Sequence, residues 1–302
     1  MNAKEIKGII FDIQRFCLHD GPGIRTTVFF KGCNLRCAWC HNPESFTLKK
    51  QLMYDASKCV MCGKCAQVCP FNIHVIDDAN HYVNIKKCKA CGKCVESCVP
   101  DALRIIGREM TVNEVMTEIA KDMKYYQQSE GGVTLSGGEC TFQFNFCLEL
   151  LKQLKQKNIH TCIETNLMID NEKLKQIIPF TDLFLADYKL STNELHSLYT
   201  GADNAVIISN LEILNNEQCK VVLRCPIIQG INDNSAHFGS VAQIYNKYRC
   251  IEYVEIMPYH NTGKYKWINL GIDYIFNDME TVDKNTAEEW KKTLSAKGVK
   301  VK

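Results

Sequence analysis

Six short apolar runs recur along the chain, at 26–31 (TTVFFK), 132–136 (GVTLS), 160–165 (HTCIET), 183–188 (LFLADY), 221–227 (VVLRCPI) and 253–257 (YVEIM). They are rich in β-branched and aromatic residues and mostly apolar at successive positions, the pattern of strands buried on both faces of a parallel sheet. Between them the period lengthens. Thr111 and Glu114 make a capping box ahead of Val112, Val115, Met116, Ile119 and Met123, which share one helical face. Phe146, Leu150, Leu151 and Leu154 form a second stripe before the polar run QKN. Strands alternating with helices predict an α/β fold, a parallel sheet curled into a partial (β/α)6 TIM-like barrel.

The pattern breaks once, between the first and second runs. Cys59, Cys62, Cys65 and Cys69 each recur 29 positions later, at Cys88, Cys91, Cys94 and Cys98. Pro70 follows the first set directly, and Pro100 follows the second after Val99. A duplicated unit inserted after the first strand divides the chain into 1–51 with 107–302, the barrel, and 52–106, the insertion.

Composition narrows the classes. A chain of 302 residues with 46% hydrophobic content buries a sizeable core without staples. The formal charge is +2, from 36 basic and 34 acidic residues, so no general field draws nucleic acid or an anionic membrane. The segment MNAKEIKGIIFDIQRF lacks the unbroken apolar core of a signal peptide, and no later stretch has the length of a membrane span, so a cytoplasmic protein is expected. In a reduced compartment, 18 cysteines indicate metal ligation more than disulfides. Eleven fall in three groups: Cys33-Cys37-Cys40 and the two sets of the repeat. The other seven, Cys17, Cys140, Cys147, Cys162, Cys219, Cys225 and Cys250, read as small apolar filler.

CNLRCAWC puts Cys33, Cys37 and Cys40 in a loop just after the first predicted strand. Three thiolates hold three corners of a 4Fe-4S cluster and leave one iron for an outside ligand, such as the amino and carboxylate groups of S-adenosylmethionine. The competing reading is zinc, for which His41 would supply a fourth ligand. Other polar groups fall at the ends of predicted strands: Gly137-Gly138-Glu139, Glu164-Thr165-Asn166, Asp187-Tyr188-Lys189 and Pro258-Tyr259-His260, with Arg224 inside the fifth run. Parallel strands bring such ends to one mouth, where α/β enzymes build their sites.

The segment DGPGIRTTVFFKGCNLRCAWCHNPE, with Asp20-Gly21-Pro22-Gly23, Arg25 and Trp39, resembles the radical S-adenosylmethionine superfamily in its glycyl-radical-enzyme activating branch. The likeness continues through SGGE, DYK and MPYHNTGKYKW. It implies that the Cys33, Cys37, Cys40 cluster cleaves S-adenosylmethionine to methionine and a 5'-deoxyadenosyl radical, which takes hydrogen from a backbone glycine of a separate enzyme. Flavodoxin or ferredoxin is the implied electron donor. The resemblance assigns cofactor contacts to Trp39 and Asn166, the methionine amino group to Gly137, Gly138 and the Glu139 carboxylate, the ribose to Glu164, and the carboxylate and adenosyl portions to Lys189, Arg224 and His260. It also assigns a monovalent cation to Glu164, Thr165 and Asp187. Cys140 stands where many members have proline, and reads as filler. Trp267 and Tyr259 read as core packing, and His19, His74 and His81 as residues without a catalytic role.

The repeat, CVMCGKCAQVCP and CKACGKCVESCVP, has the bacterial ferredoxin spacing, in which the fourth cysteine of each run ligates the other cluster. Cys59, Cys62, Cys65 and Cys98 then hold one 4Fe-4S cluster and Cys88, Cys91, Cys94 and Cys69 a second, with closed zinc sites as the alternative. Two rival functions stand beside the activase: a radical enzyme acting on a small molecule, and a non-enzymatic iron-sulfur electron carrier.

Overall fold

Each of the six apolar runs forms a strand in the computed structural model, which describes residues 5–77 and 80–302. The strands are β1 Lys7–Cys17, β2 Arg25–Phe30, β3 Gln51–Tyr54, β4 His74–Ile76, β5 His81–Val83, β6 Leu103–Ile106, β7 Arg108–Thr111, β8 Gly132–Gly137, β9 His160–Thr165, β10 Leu183–Asp187, β11 Val221–Ile227 and β12 Ile251–Pro258. From β2 through β8, β9, β10 and β11 to β12 the neighbours run parallel and in chain order. That order follows from helical crossovers of one hand, each returning the chain to the next position. Val28, Val133, Leu135, Ile163, Phe184 and Leu223 are fully buried, consistent with helices covering the sheet.

Two strands of the eight-stranded sheet were not signalled by an apolar run. β1 and β7 extend the sheet past β2 in antiparallel fashion, Lys7 opposite Thr111 and Ile13 opposite Val28. β1 is largely half-buried or exposed, so its sequence KGIIFDIQRFC carries charges, and pairing on both sides fixes it more than burial does.

The capping box forms as expected, with Thr111 Oγ1 accepting from the Glu114 amide and Glu114 accepting from the Thr111 amide. The stripe ends earlier than its periodicity suggests. The helix covers Val112–Ala120, and Met123 belongs to a separate helix, Met123–Ser129. Between them the buried Asp122 carboxylate accepts from Arg15 and from Thr26 Oγ1. Leaving that charge buried without partners costs several kcal/mol, against about 0.5 kcal/mol per residue for continuing a helix. The second stripe lies on the helix Phe144–Gln156, where Phe146, Leu150, Leu151 and Leu154 are all buried.

Between β2 and β7 the chain builds a small separate layer. β3 pairs with β6, Gln51 opposite Ile106 and Tyr54 opposite Leu103, while β4 pairs with β5. The duplication is visible in the backbone: Met61 and Ala90, 29 positions apart, share the uncommon positive φ, 58° and 50°. No helix among the described residues is long and apolar enough to cross a membrane.

Candidate active site

The loop after β2 carries Cys33, Cys37 and Cys40 to the edge where the parallel strands end. There the three cysteines line a cavity of about 330 Å³ together with Gly137, Gly138 and Trp39. Glu164, Asn166, Asp187, Lys189 and His260 complete its polar wall. Residues far apart in sequence meet there because β8, β9, β10 and β12 all finish at the same side.

Two glycines allow the loops after β2 and β8 to touch. Gly137 has φ +114°, and a Cβ on it would stand 2.3 Å from the Phe30 amide nitrogen. A Cβ on Gly138 would stand 2.4 Å from the Gly32 carbonyl oxygen. In their absence the Gly138 amide donates to Phe30 and the Glu139 amide to Gly32, each at 2.9 Å. The far side of the cysteine loop is held by the segment after β12. Trp267 Nε1 donates to the Cys40 carbonyl at 2.8 Å, and Lys266 Nζ reaches Asn42 Oδ1 at 2.8 Å and Glu44 Oε1 at 2.7 Å. Trp267 therefore does more than pack, a role that only its place in the KYKW motif signals. Tyr259 is buried against Trp39 and shares a hydrogen bond with the Tyr274 hydroxyl.

Burial pushes the Cys33 thiol up to about 12 and raises Cys37 and Cys40 as well. Three buried thiols become thiolates only where a metal supplies compensating charge, and soft sulfur donors suit an iron-sulfur cluster. Cys33 Sγ and Cys40 Sγ already accept backbone amides, from Leu35 and Asn42, both at 3.4 Å. His41, the residue that would close a zinc set, has its Nε2 on the His260 carbonyl at 2.9 Å and its ring stacked on His260. Burial lowers the Lys189 ammonium, but Asp187 at 2.6 Å and the neighbouring thiols outweigh it and hold the group above its ordinary value. Lys189 thus remains a cation at the cavity wall.

Two of the expected contact residues lie off the cavity wall. Glu139 was expected to offer its carboxylate to the methionine amino group. That carboxylate is instead buried and accepts from the Thr141 amide and hydroxyl, the Thr165 hydroxyl and the Asn166 amide. Only the backbone of this turn faces the cavity, at Gly137 and Gly138. Arg224 is also set back: its guanidinium is buried between Glu164 at 2.7 Å and Glu255 at 2.9 Å, so it orients Glu164 and does not line the cavity. Glu164, Thr165 and Asp187 each have a protein partner already. They are engaged with Arg224, Glu139 and Lys189 respectively.

The DGPGIR segment does not reach the cavity. Arg25 is fully buried at the opposite end of β2, donating to Pro22 O, Val133 O and Thr134 Oγ1. It ties the loop to the start of β8. Cys140 is fully buried in the main core beside Cys147 and does not line the cavity. Cys140→Ala is therefore expected to cleave S-adenosylmethionine within about threefold of the parent rate, a small-to-smaller core change of roughly 1 kcal/mol. Loss of the reactive cluster's iron and its electron paramagnetic resonance signal in a folded Cys140→Ala protein would contradict this placement.

Within the insertion, Cys59, Cys62, Cys65 and Cys98 line one small cavity with Val60, Ile76 and Leu103. Cys94 lies near Cys69, Cys88 and Cys91, and burial pushes its thiol up to about 11. His74 and His81, read as bystanders, stand against the first of these sets: His81 Nδ1 is 3.4 Å from Cys59 Sγ and its Nε2 3.7 Å from Cys65 Sγ. All eighteen thiols are free.

A parallel α/β protein with three thiols and a polar shelf at its strand ends is a frame for a cluster with one iron left to a cofactor. Residues 27–238 match the model of the Radical SAM superfamily. The chain is 37% identical over 296 residues to the trans-4-hydroxy-L-proline dehydratase activating enzyme of Clostridioides difficile, covering 97% of this chain and 98% of that one. It is 38% identical over 279 residues to the (2S)-3-sulfopropanediol dehydratase activating enzyme of Klebsiella oxytoca, covering 88% and 86%. A radical SAM methyltransferase from Sphaerobacter thermophilus shares the fold, with a TM-score of 0.55 and 11% identity over 97% of this chain and 76% of that one. The chain belongs to the radical SAM superfamily, within its branch of activating enzymes for glycyl radical enzymes.

Proposed function

We propose that this protein activates a separate glycyl radical enzyme by hydrogen abstraction from a backbone glycine. The observation that carries the reading is the meeting of Cys33, Cys37 and Cys40 with Gly137, Gly138, Asn166, Lys189 and His260 in one cavity at the strand ends. S-adenosylmethionine, bound there and reduced by one electron through a 4Fe-4S cluster, supplies methionine and a 5'-deoxyadenosyl radical. The chain's own contribution is positional. Gly137 and Gly138 offer backbone to the methionine end, Lys189 offers a cation to its carboxylate, and Trp39, Glu164 and His260 flank the rest. A monovalent cation at Glu164, Thr165 and Asp187 would take oxygen ligands now engaged with protein partners. The parallel sheet is read as curled into a partial barrel over 1–51 and 107–302. The 52–106 insertion is read as ferredoxin-like, with clusters on Cys59, Cys62, Cys65, Cys98 and on Cys69, Cys88, Cys91, Cys94. Flavodoxin or ferredoxin would supply the electron.

Activating enzymes for dehydratases, a decarboxylase and an amine lyase all lie at 36–38% identity to this chain. The chemistry shared by those names is activation of another protein, which favours the activase over an enzyme for a small molecule. The reading is tested by an anaerobic mixture of this protein, reductant, S-adenosylmethionine and the glycyl radical enzyme encoded beside it, followed by electron paramagnetic resonance. A doublet from one glycine α-hydrogen, lost when the partner's loop glycine becomes alanine, is expected. Abundant 5'-deoxyadenosine with no such doublet would favour the small-molecule reading.

A further inference from the structure

Three polar rings around one set of thiols are not repeated around the other. Tyr54, His74 and His81 have as their counterparts 29 positions away Val83, Leu103 and Leu52. The three polar rings form one group: Tyr54 and His81 centroids lie 4.6 Å apart, and those of His74 and His81 5.1 Å apart. His74 Nδ1 and His81 Nε2 are 3.0 Å apart, and His81 Nδ1 is 3.4 Å from Cys59 Sγ.

Cys59, 3.4 Å from Nδ1, is nearer to His81 than Cys65, 3.7 Å from Nε2, and the nearer thiolate sets the protons. A thiolate needs a donor, so His81 presents Nδ1–H to Cys59 and uses Nε2 as acceptor; His74 then donates from Nδ1. This leaves His74 Nε2 unprotonated, and that buried nitrogen indeed has no partner. An unpaired acceptor is the less costly of the two orphans. Hydrogen bonds to cluster sulfurs stabilise the reduced, more negative state and raise the reduction potential.

We propose that the His74–His81 pair, with Tyr54, raises the potential of the cluster on Cys59, Cys62, Cys65 and Cys98 above that of its duplicate, so that the two inserted clusters are electronically unequal. His81 is a positioning residue for a proton on the sulfur, not a ligand. The tuned side also adjoins the reactive loop: with its amide turned to donate, Asn269 reaches the Tyr54 carbonyl at 3.1 Å, and Trp267 of the same helix holds Cys40. The inference rests on the two-cluster reading of the insertion.

The test replaces His81 with the residue its duplicate carries, His81→Leu, in the full reconstituted chain and again with Cys33, Cys37 and Cys40 changed to alanine, so that only the inserted clusters respond. A redox titration followed by electron paramagnetic resonance should resolve two waves in the His81-containing protein. In His81→Leu one wave should fall by about tenfold in its reduction equilibrium, about 59 mV for one electron, and the other should stay. In unsubstituted protein, 15N-histidine labelling should alter a weak nitrogen coupling on one reduced cluster. Two intact cubanes with neither wave moved, or a coupling of ligand strength, would overturn the inference. Absence of iron for two cubanes in the alanine background would instead overturn the two-cluster reading. Zinc released by His81→Leu would do the same, because Cys65, His74 and His81 place their ligand atoms within 4.8 Å of one another.

Discussion

Changing Cys33, Cys37 and Cys40 together to alanine should lower reconstituted iron from about twelve to about eight per chain, one cubane of three, and reduce 5'-deoxyadenosine formation to background. The loss should be chemical and not a collapse of the fold. The loop is held through main-chain groups and neighbours that no thiol supplies: Arg36 N on Thr200 O at 2.7 Å, Ala38 N on Tyr199 O at 2.9 Å, and Trp267 Nε1 on Cys40 O. Removing three buried thiols leaves those bonds in place, so circular dichroism and the signals of the inserted clusters should persist. Activity must vanish because no other described residue lining this cavity offers a thiolate; the remaining sulfur there, on Met257, is a thioether. A folded triple variant that still made 5'-deoxyadenosine at the parent rate would sink the assignment of the reactive cluster.

The sequence made the scaffold readable where burial imposes a strong pattern. The parallel strands TTVFFK and VVLRCPI are buried at nearly every position, one face against the helices and the other against neighbouring strands, so they could be recognised without tertiary information. β1 could not, because a half-exposed strand stabilised by pairing on two sides has no apolar run to reveal it. The break at Asp122 was hidden for another reason: its partners, Arg15 and Thr26, are about a hundred positions away, and periodicity registers only local neighbours.

Which strand ends meet at the cavity was legible, and the direction of their side chains was not. Glu139 and Arg224 sit where the motif places them, yet the Glu139 carboxylate turns inward to four donor groups and Arg224 is taken up by two carboxylates. A motif records which residues are present at a strand end, whereas the direction of a side chain depends on partners from other strands. The roles of Lys266 and Trp267 were missed for the same reason: their targets, Asn42, Glu44 and Cys40, lie more than two hundred positions earlier.

Gly138→Ala should weaken S-adenosylmethionine binding by tenfold to a hundredfold while leaving the inserted clusters and the helical content unchanged. The added Cβ would fall 2.4 Å from Gly32 O and 2.8 Å from Ser45 Oγ. The nearer atom is backbone, so it cannot swing away as a flexible side-chain tip would. Gly32 is itself pinned, donating to Ser45 O at 2.7 Å and accepting from Glu139 N at 2.9 Å. Relief must therefore separate the turn after β8 from the loop that begins at Cys33, widening the cavity between the glycine backbone and the thiols. Overpacking of this kind costs about 1–3 kcal/mol, and about 1.4 kcal/mol is tenfold in affinity. Gly239 provides the control: a Cβ there meets nothing within 4 Å, and the residue lies inside the helix Ser235–Lys247. Gly239→Ala should bind the cofactor as the parent does and gain up to about 1 kcal/mol in stability from helix propensity. Calorimetric titration of the anaerobically reconstituted proteins measures both variants. Unchanged cofactor affinity in a folded Gly138→Ala protein would mean that the Gly137–Gly138 turn is not the shelf on which the methionine end rests.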